Sequence, residues 1–393
     1  MPGEFEPQDA IWLGWPKYDH LYDYPLEPVF VELIAALENH VDVKVAVCGG
    51  PQEQYVRGLL ADANVPLENI SFHNVLYWME WYRDIGPVFL TDDQGGLLIA
   101  DYGFNLYGYA PESTLDDWVD RQIAWLLNVG IKHTCVYHEG GNHEVNGRGT
   151  LMLVEAVERN RNPWMTRAAI EAEHRRVLNV SNVIWLKEGA YEDSWTPDGP
   201  IPGPTGEYNA YTMGTGGHID EIARFINENT VLLAEATPEE AASDPVAAEN
   251  RRRMEENYQV LLDARLENGE PINIVRVPIP ETMYMRLSPF DWQYWFFWMN
   301  HGFPLGDRIY LTAATSYLNF VITNNAVIVP QYWQDGYPDA IRQKDEAALV
   351  IFRLIFPDRE IVTINPLAMN WGGGGMHCVT QQQPNPFIPP QPQ

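Results

Sequence analysis

The chain has 393 residues, 46% hydrophobic and 20% charged, which excludes a disordered protein and allows one large domain or two to three smaller ones. Its 54 Asp and Glu against 25 Lys and Arg give a formal net charge of -29. That balance argues against nucleic acid, whose phosphates need cationic surface to displace counterions, and favours a cationic substrate.

In chain order, residues 11–15 form a short apolar run, and Val29, Phe30, Leu33, Ile34 and Leu37 share one helical face. Residues 41–47 then alternate as a half-buried strand does. The next unit opens at Arg83-Asp84 and predicts strands over 87–90 and 97–100, a helix over 115–127 and a strand over 134–137. A second unit opens at Glu139-Gly140-Gly141. It predicts a hairpin over 143–153 about Asn146-Gly147, which supplies the positive φ of a tight turn, then a helix from Thr166 and a strand over 183–186. The third opens at Gly217-His218-Ile219-Asp220, with strands over 222–226 and 231–234, a helix over 247–266 and a strand over 272–277. The fourth opens near Ser316, with strands over 317–322 and 327–329, a helix over 339–356 and a strand over 361–364. A fifth unit is split: residues 372–380 end the chain and residues 11–47 begin it.

Repeated supersecondary units at periods beyond about 50 residues predict an α/β fold of radial or barrel-like form, its ring closed by the two chain ends. Asp84, Glu139, His218, Asp220 and Cys378 all fall in segments that open a unit, so a radial arrangement brings them to one mouth. The chain is expected to form a single catalytic domain over 1–383 with a Pro/Gln-rich tail over 384–393. Residues 188–217 and 281–307 are predicted to be long loops, the second carrying Trp292, Trp295, Phe296, Phe297 and Trp298. No apolar run reaches the roughly 18 residues of a membrane span, and the first residues lack a signal-peptide pattern. A cytoplasmic protein is expected, a secreted form only if a leader has been removed, and no membrane partner. A homodimer is left open.

Cys48, Cys135 and Cys378 make no even disulfide framework and no CxxC pair. Cys378 follows four glycines and His377, a setting in which a thiol can lie exposed, whereas Cys48 and Cys135 lie on apolar strands and read as structural. A thiolate needs a positive neighbour to form at neutral pH, and His218 across the mouth would be that neighbour and the proton carrier. Taken singly these signals are weak: His-x-Asp also fits a surface histidine, and Asp84 beside Arg83 fits a local ion pair. Taken together they suit a guanidinium, which is planar and permanently charged. Two carboxylates, Asp84 and Asp220, would grip its N–H groups while Glu139 orients His218. Trp195, in an acidic and aromatic loop without Lys or Arg, is a candidate contact for a cationic tail. Two other readings are a metal hydrolase using His218, Asp220, His138, Glu139 or His143, which lacks HExxH-type spacing, and an aromatic-rich binding protein built on Trp292 and its neighbours.

Several stretches are similar to the agmatine deiminase and bacterial (Porphyromonas-type) peptidylarginine deiminase family. They are residues 1–7 with 12–16, Trp81-Tyr82-Arg83-Asp84, Glu139-Gly140-Gly141-Asn142, Arg159-Asn160-Arg161-Asn162-Pro163, Gly217-His218-Ile219-Asp220, Ser316-Tyr317-Leu318-Asn319-Phe320, and Gly372-Gly373-Gly374-Gly375 followed by His377-Cys378-Val379-Thr380. The resemblance implies a fivefold pseudosymmetric α/β propeller, no cofactor, and hydrolysis of a small cationic guanidine or an arginine-containing peptide through a thiouronium on Cys378. It implies His218 as general acid and base, Asp84 and Asp220 as guanidinium carboxylates and Glu139 as their support. Trp81 and Asn142, within matching stretches, are candidate substrate contacts. Two departures bear on substrate identity: the segment before Gly217 is longer than the family's, and Glu221 stands where its agmatine deiminases have Asn.

Overall fold

The computed structural model describes residues 1–386 apart from 22, 93 and 111–114; most of the Pro/Gln-rich tail lies outside the described residues. Helix Leu26–Leu37 buries Leu26, Phe30, Leu33, Ile34 and Leu37, an apolar stripe at helical spacing, and feeds strand Asp42–Val47. Such burial stabilises the fold by about 1.5–3 kcal/mol for each large aliphatic or aromatic side chain.

Five sheets repeat one pattern. In four of them an antiparallel pair is followed by a helix and a strand parallel to the second. Their strands are Val88–Thr91, Leu97–Gly103 and Gly130–Tyr137; His143–Val145, Thr150–Val154 and Asn182–Leu186; Ala223–Phe225, Thr230–Glu235 and Asn273–Pro278; and Val321–Ile322, Ala326–Pro330 and Glu360–Ile364. The crossover helices Val119–Leu127, Arg167–Leu178, Pro245–Asp263 and Asp339–Ile355 make the parallel return possible, since parallel neighbours cannot be joined by a tight turn. The fifth sheet pairs Thr380–Pro384 with Gln8–Gly14, then adds Asp42–Val47 and Ile70–Asn74 in parallel. The two outer segments of the described chain therefore share a sheet, and the strand reaches Pro384, one residue into the expected tail. Among the described residues no sheet closes on itself. No helix of the described residues is long and apolar enough to cross a membrane.

Two expectations are corrected. The long segments 188–217 and 281–307 are not open loops. Ile201–Pro202, Tyr208–Thr212, Tyr310–Thr312 and Tyr284–Arg286 form a sixth, four-stranded sheet, and Trp292–His301 is a helix. Strands of two to five residues carry too few alternations to read, and aromatic residues on nearly every face blur the helical period. The strand expected over 317–322 shrinks to Val321–Ile322, because side chains pull the preceding residues out of line. Tyr317 Oη donates to Asp345 Oδ1 (2.6 Å) and Ser316 Oγ to the Glu221 carbonyl (2.7 Å).

Candidate active site

Each of the five like sheets is preceded by a short segment that turns inward, and these segments supply residues to one cleft of about 20 Å³, lined by Trp81, Asp84, Tyr107, His218, Glu221 and Cys378 among others. Asp84 sits in helix Tyr82–Ile85, Glu139 caps the turn Gly140–Asn142, and His218 caps the turn Ile219–Glu221. Asn319 and Cys378 lie two residues ahead of Val321–Ile322 and Thr380–Pro384. The sequence thus brings Asp84, His218, Asp220, Glu139 and Cys378 together as expected.

Around the thiol, Asn319 Nδ2 donates to Cys378 Sγ (3.1 Å), with Asp220 Oδ2 at 3.6 Å and Glu221 Oε1 at 3.9 Å. Burial, then Asp220, Glu221 and Asp84, push the thiol well above its ordinary value, so it is neutral in the free protein. The expectation of an exposed Cys378 is corrected: it is buried, Cys48 is half-buried, and Cys135 is the exposed cysteine. The reason is topological, since Gly130–Tyr137 is an edge strand that pairs only with Leu97–Gly103.

His218 Nε2 lies 3.3 Å from Glu139 Oε2, and its Nδ1 lies 3.7 Å from Asp84 Oδ1. Burial pulls this imidazole down, but Asp84 and Glu139 outweigh it and raise it to about 9. Glu139 accepts from Arg161 Nε at 2.7 and 3.0 Å; burial raises its pKa, while Arg161 and His218 prevail and hold it low. Asp84 accepts from the Gly141 N–H (2.9 Å) and Tyr107 Oη (3.0 Å), and burial lifts it to about 6. Only glycine fits at 141, where a Cβ would stand 2.5 Å from His218 Nδ1 and 2.9 Å from Asp84 Oδ1. Asp220 Oδ2 accepts from His377 Nδ1 (2.7 Å); burial acts upward on this carboxyl, but His377 outweighs it and lowers it. Glu4 in turn holds His377 Nε2 (2.7 Å) and Arg224 Nη2 (2.6 Å).

Two buried polar atoms in this constellation have no hydrogen-bond partner, Asp220 Oδ1 and His218 Nδ1. Leaving such groups unpaired costs about 1–3 kcal/mol each. They mark where a ligand with N–H groups and a leaving nitrogen would complete the network.

The remaining expected contacts divide. Trp81 lines the cleft. Asn142 lies behind it, its amide bonded to Val154 and to Glu158 Oε1. Trp195 is not among the cleft-lining residues; its indole donates to the Tyr107 carbonyl (2.9 Å) and its ring packs on Tyr109. His138 and His143 belong to a separate buried network, with His138 Nδ1 2.6 Å from Glu158 Oε1 and Nε2 2.9 Å from His143 Nδ1. They do not join His218 and Asp220 in any metal-sized group of the described residues. Sequence reasoning missed Asn319, Tyr107, the Glu4–His377 pair and Asp193, which lines the cleft and accepts the His218 backbone N–H (2.8 Å). One signal for Asn319 was present: it occupies in the fourth unit the place that the named residues occupy in the others.

A thiol and opposed carboxylates on the inward ends of like sheets, in a cleft built for a planar cation, define a guanidine-modifying α/β enzyme. The chain belongs to the Porphyromonas-type peptidyl-arginine deiminase family, which matches residues 1–201 and 204–384. It is similar to the agmatine deiminase of Pseudomonas aeruginosa (strain LESB58), at 30% identity over 98% of this chain and 95% of that one. The agmatine deiminase of Stutzerimonas stutzeri (strain A1501) is 31% identical over 99% and 96%. The solved agmatine deiminase of Enterococcus faecalis superposes with a TM-score of 0.77 at 27% identity, covering 98% of this chain and 96% of that one.

Proposed function

We propose that this chain is an agmatine deiminase, hydrolysing the guanidinium of agmatine to a ureido group with release of ammonia. The observation that carries the reading is the pair of unpartnered buried atoms, Asp220 Oδ1 and His218 Nδ1, beside the Cys378 thiol. Asp84 and Asp220 accept N–H bonds from the guanidinium and hold its carbon toward Sγ. The arriving cation offsets the carboxylates that keep the thiol neutral, so Cys378 ionises on binding and its proton passes to solvent.

The thiolate then forms a C–S bond, and the imidazolium of His218 protonates the departing amino group as the C–N bond breaks. Ammonia leaves behind a thiouronium and a neutral His218. That imidazole takes a proton from water as the oxygen attacks the same carbon. Collapse breaks the C–S bond, restores the thiolate, and gives a protonated urea that sheds its proton. Asn319, donating to sulfur, stabilises the thiolate at both ends of the cycle.

The repeated sheet pattern and the pairing of Gln8–Gly14 with Thr380–Pro384 support a fivefold α/β propeller closed about the cleft, within one catalytic domain over 1–383. Agmatine is favoured over a free amino acid because among the described residues no Lys or Arg lines the cleft or its approach, leaving an α-carboxylate without a partner there. Arginine within a peptide, the substrate in the family's name, is the second reading, since it too lacks a nearby carboxylate. Ammonia release from agmatine, a blocked arginine amide and free arginine decides among them. Agmatine should give the highest kcat/KM, and Cys378→Ala should bind it without turnover. A clear preference for free arginine, or turnover by Cys378→Ala at a tenth of the parent rate, would overturn the reading.

A further inference from the structure

Outside the catalytic cleft lies a far larger chamber of about 820 Å³. The two share Trp81, Tyr107, Met213 and Gly372 in their linings, so the chamber is the antechamber through which the cleft is reached. Its outer walls include Trp78, Tyr109, Trp292 and Phe296. Trp78 is 57% exposed, Trp292 49% and Tyr109 42%, an unusual amount of indole and phenol to leave in water at one place.

The walls are built rather than loose. Helix Trp292–His301 buries Tyr294 and Phe297, the latter stacked on Tyr211 with ring centroids 4.9 Å apart, and this docking turns Trp292 and Phe296, four residues apart, toward the chamber. The Trp292 indole donates to the His20 carbonyl (3.3 Å), and the Trp292 and Phe296 rings meet edge to face. Among the described residues no Lys or Arg lines the chamber, with Lys17 Nζ 5.4 Å from the centre of the Trp78 ring. Of its two acids, Asp19 Oδ1 accepts the Leu26 N–H (2.8 Å), and Glu80 Oε1 lies 2.9 Å from His20 Nε2 with no hydrogen bond between them. A volume of this size suits a drug-sized ligand with most of its surface buried. With its guanidinium in the cleft, agmatine would extend only a short alkylammonium arm into a space walled mainly by aromatic rings.

We infer that the chamber seats an uncharged, bulky apolar group at the far end of the alkylguanidine, so that agmatines acylated on their amine by an aromatic acid are a second and favoured substrate class of the same cleft. This rests on the deiminase reading above. The reaction is unchanged, hydrolysis of the guanidinium with loss of ammonia, and the amide bond stays intact.

The test compares ammonia release from N-benzoylagmatine and agmatine by the full chain. We expect kcat/KM for the benzoyl compound to exceed that for agmatine by about tenfold or more, carried mainly by KM. A Trp292→Ala, Phe296→Ala double variant should abolish this advantage while leaving agmatine within about twofold. Trp298→Ala, on the same helix but not lining the chamber, should move neither. Equal or poorer turnover of N-benzoylagmatine, or an equal loss for both substrates in the double variant, overturns the inference. A blocked Phe-Arg-Phe amide outrunning N-benzoylagmatine also overturns it, by giving the chamber to peptides. Absence of ammonia from every substrate sinks the deiminase reading instead. Calorimetry on Cys378→Ala protein then still tests the chamber: N-benzoylagmatine must bind about tenfold tighter than agmatine, and equal affinities refute it.

Discussion

Asn319 stands between two neighbours in the chain's last turn: its Nδ2 donates to Cys378 Sγ at 3.1 Å, and its Oδ1 accepts the His377 N–H at 2.9 Å. The same Nδ2 lies 3.0 Å from Glu221 Oε1 and 3.3 Å from Asp220 Oδ2. One amide therefore positions the nucleophile and ties it to the two acids that flank it.

Replacing that amide removes a donor aimed at developing negative charge on sulfur. Asn319→Ala should lower kcat by about a hundredfold. Asn319→Asp should fall further, because it adds a fourth acid beside the thiol. Steady-state ammonia release, with thermal melts to confirm folding, checks both; parent-like kcat in Asn319→Asp would remove the residue from the mechanism.

Asp84→Asn and Asp220→Asn should each reduce kcat/KM by about a thousandfold, with binding and chemistry falling together, since each takes away one side of the grip on the guanidinium. A variant with unchanged constants would lose its place in the site.

The free protein's kcat/KM should rise through about pH 6 as Asp84 ionises and fall through about pH 9 as His218 loses its proton. Linkage gives both groups the same sign, stability falling as pH rises through each window. His218, raised above its ordinary 6.5, adds stability that is full below that value and is lost as pH climbs through about 9. Asp84, raised above 3.8, makes folding less favourable as pH climbs from 3.8 through about 6. A histidine-resolved NMR titration checks the coupling: Asp84→Asn should move the His218 midpoint downward, and an unmoved midpoint would show that the two do not interact.

Thiol reagents should label Cys135 before Cys378 at neutral pH, because Cys135 is exposed while burial and three neighbouring acids keep Cys378 neutral. Peptide mapping after brief iodoacetamide treatment tests this. In a Cys135→Ser background, Cys378 labelling should accelerate as pH rises.

Much of the framework is legible in the sequence. The Asn146-Gly147 turn marked a hairpin that exists, with Gly147 at φ 70° and Asn146 Oδ1 accepting from the Arg148 and Thr150 N–H groups. Thr166 caps its helix through the Ala169 N–H, and the places of Cys378, His218, Asp84 and Asp220 in the units point to the proximity that they have in the fold. What stayed hidden depends on partners far away in the chain. Nothing local to Asn142 says that its amide faces the backbone of a neighbouring strand. Nothing local to Cys378 says how deeply it is buried. Tyr107 falls inside a unit, between strand Leu97–Gly103 and helix Val119–Leu127 rather than in the segment that opens it, so position alone could not nominate it as a donor to Asp84.

The pairing of the first strand with the last has a consequence for how activity appears during synthesis. Trp12 bonds Gln383 across 371 positions, and the Arg83 N–H waits for the Cys378 carbonyl. Carboxylates and imidazole emerge from the ribosome long before the sulfur does, and contacts of such sequence separation are slow to form. The site is therefore complete only when the turn carrying Cys378 docks on Arg83 and Thr380–Pro384 pairs with Gln8–Gly14.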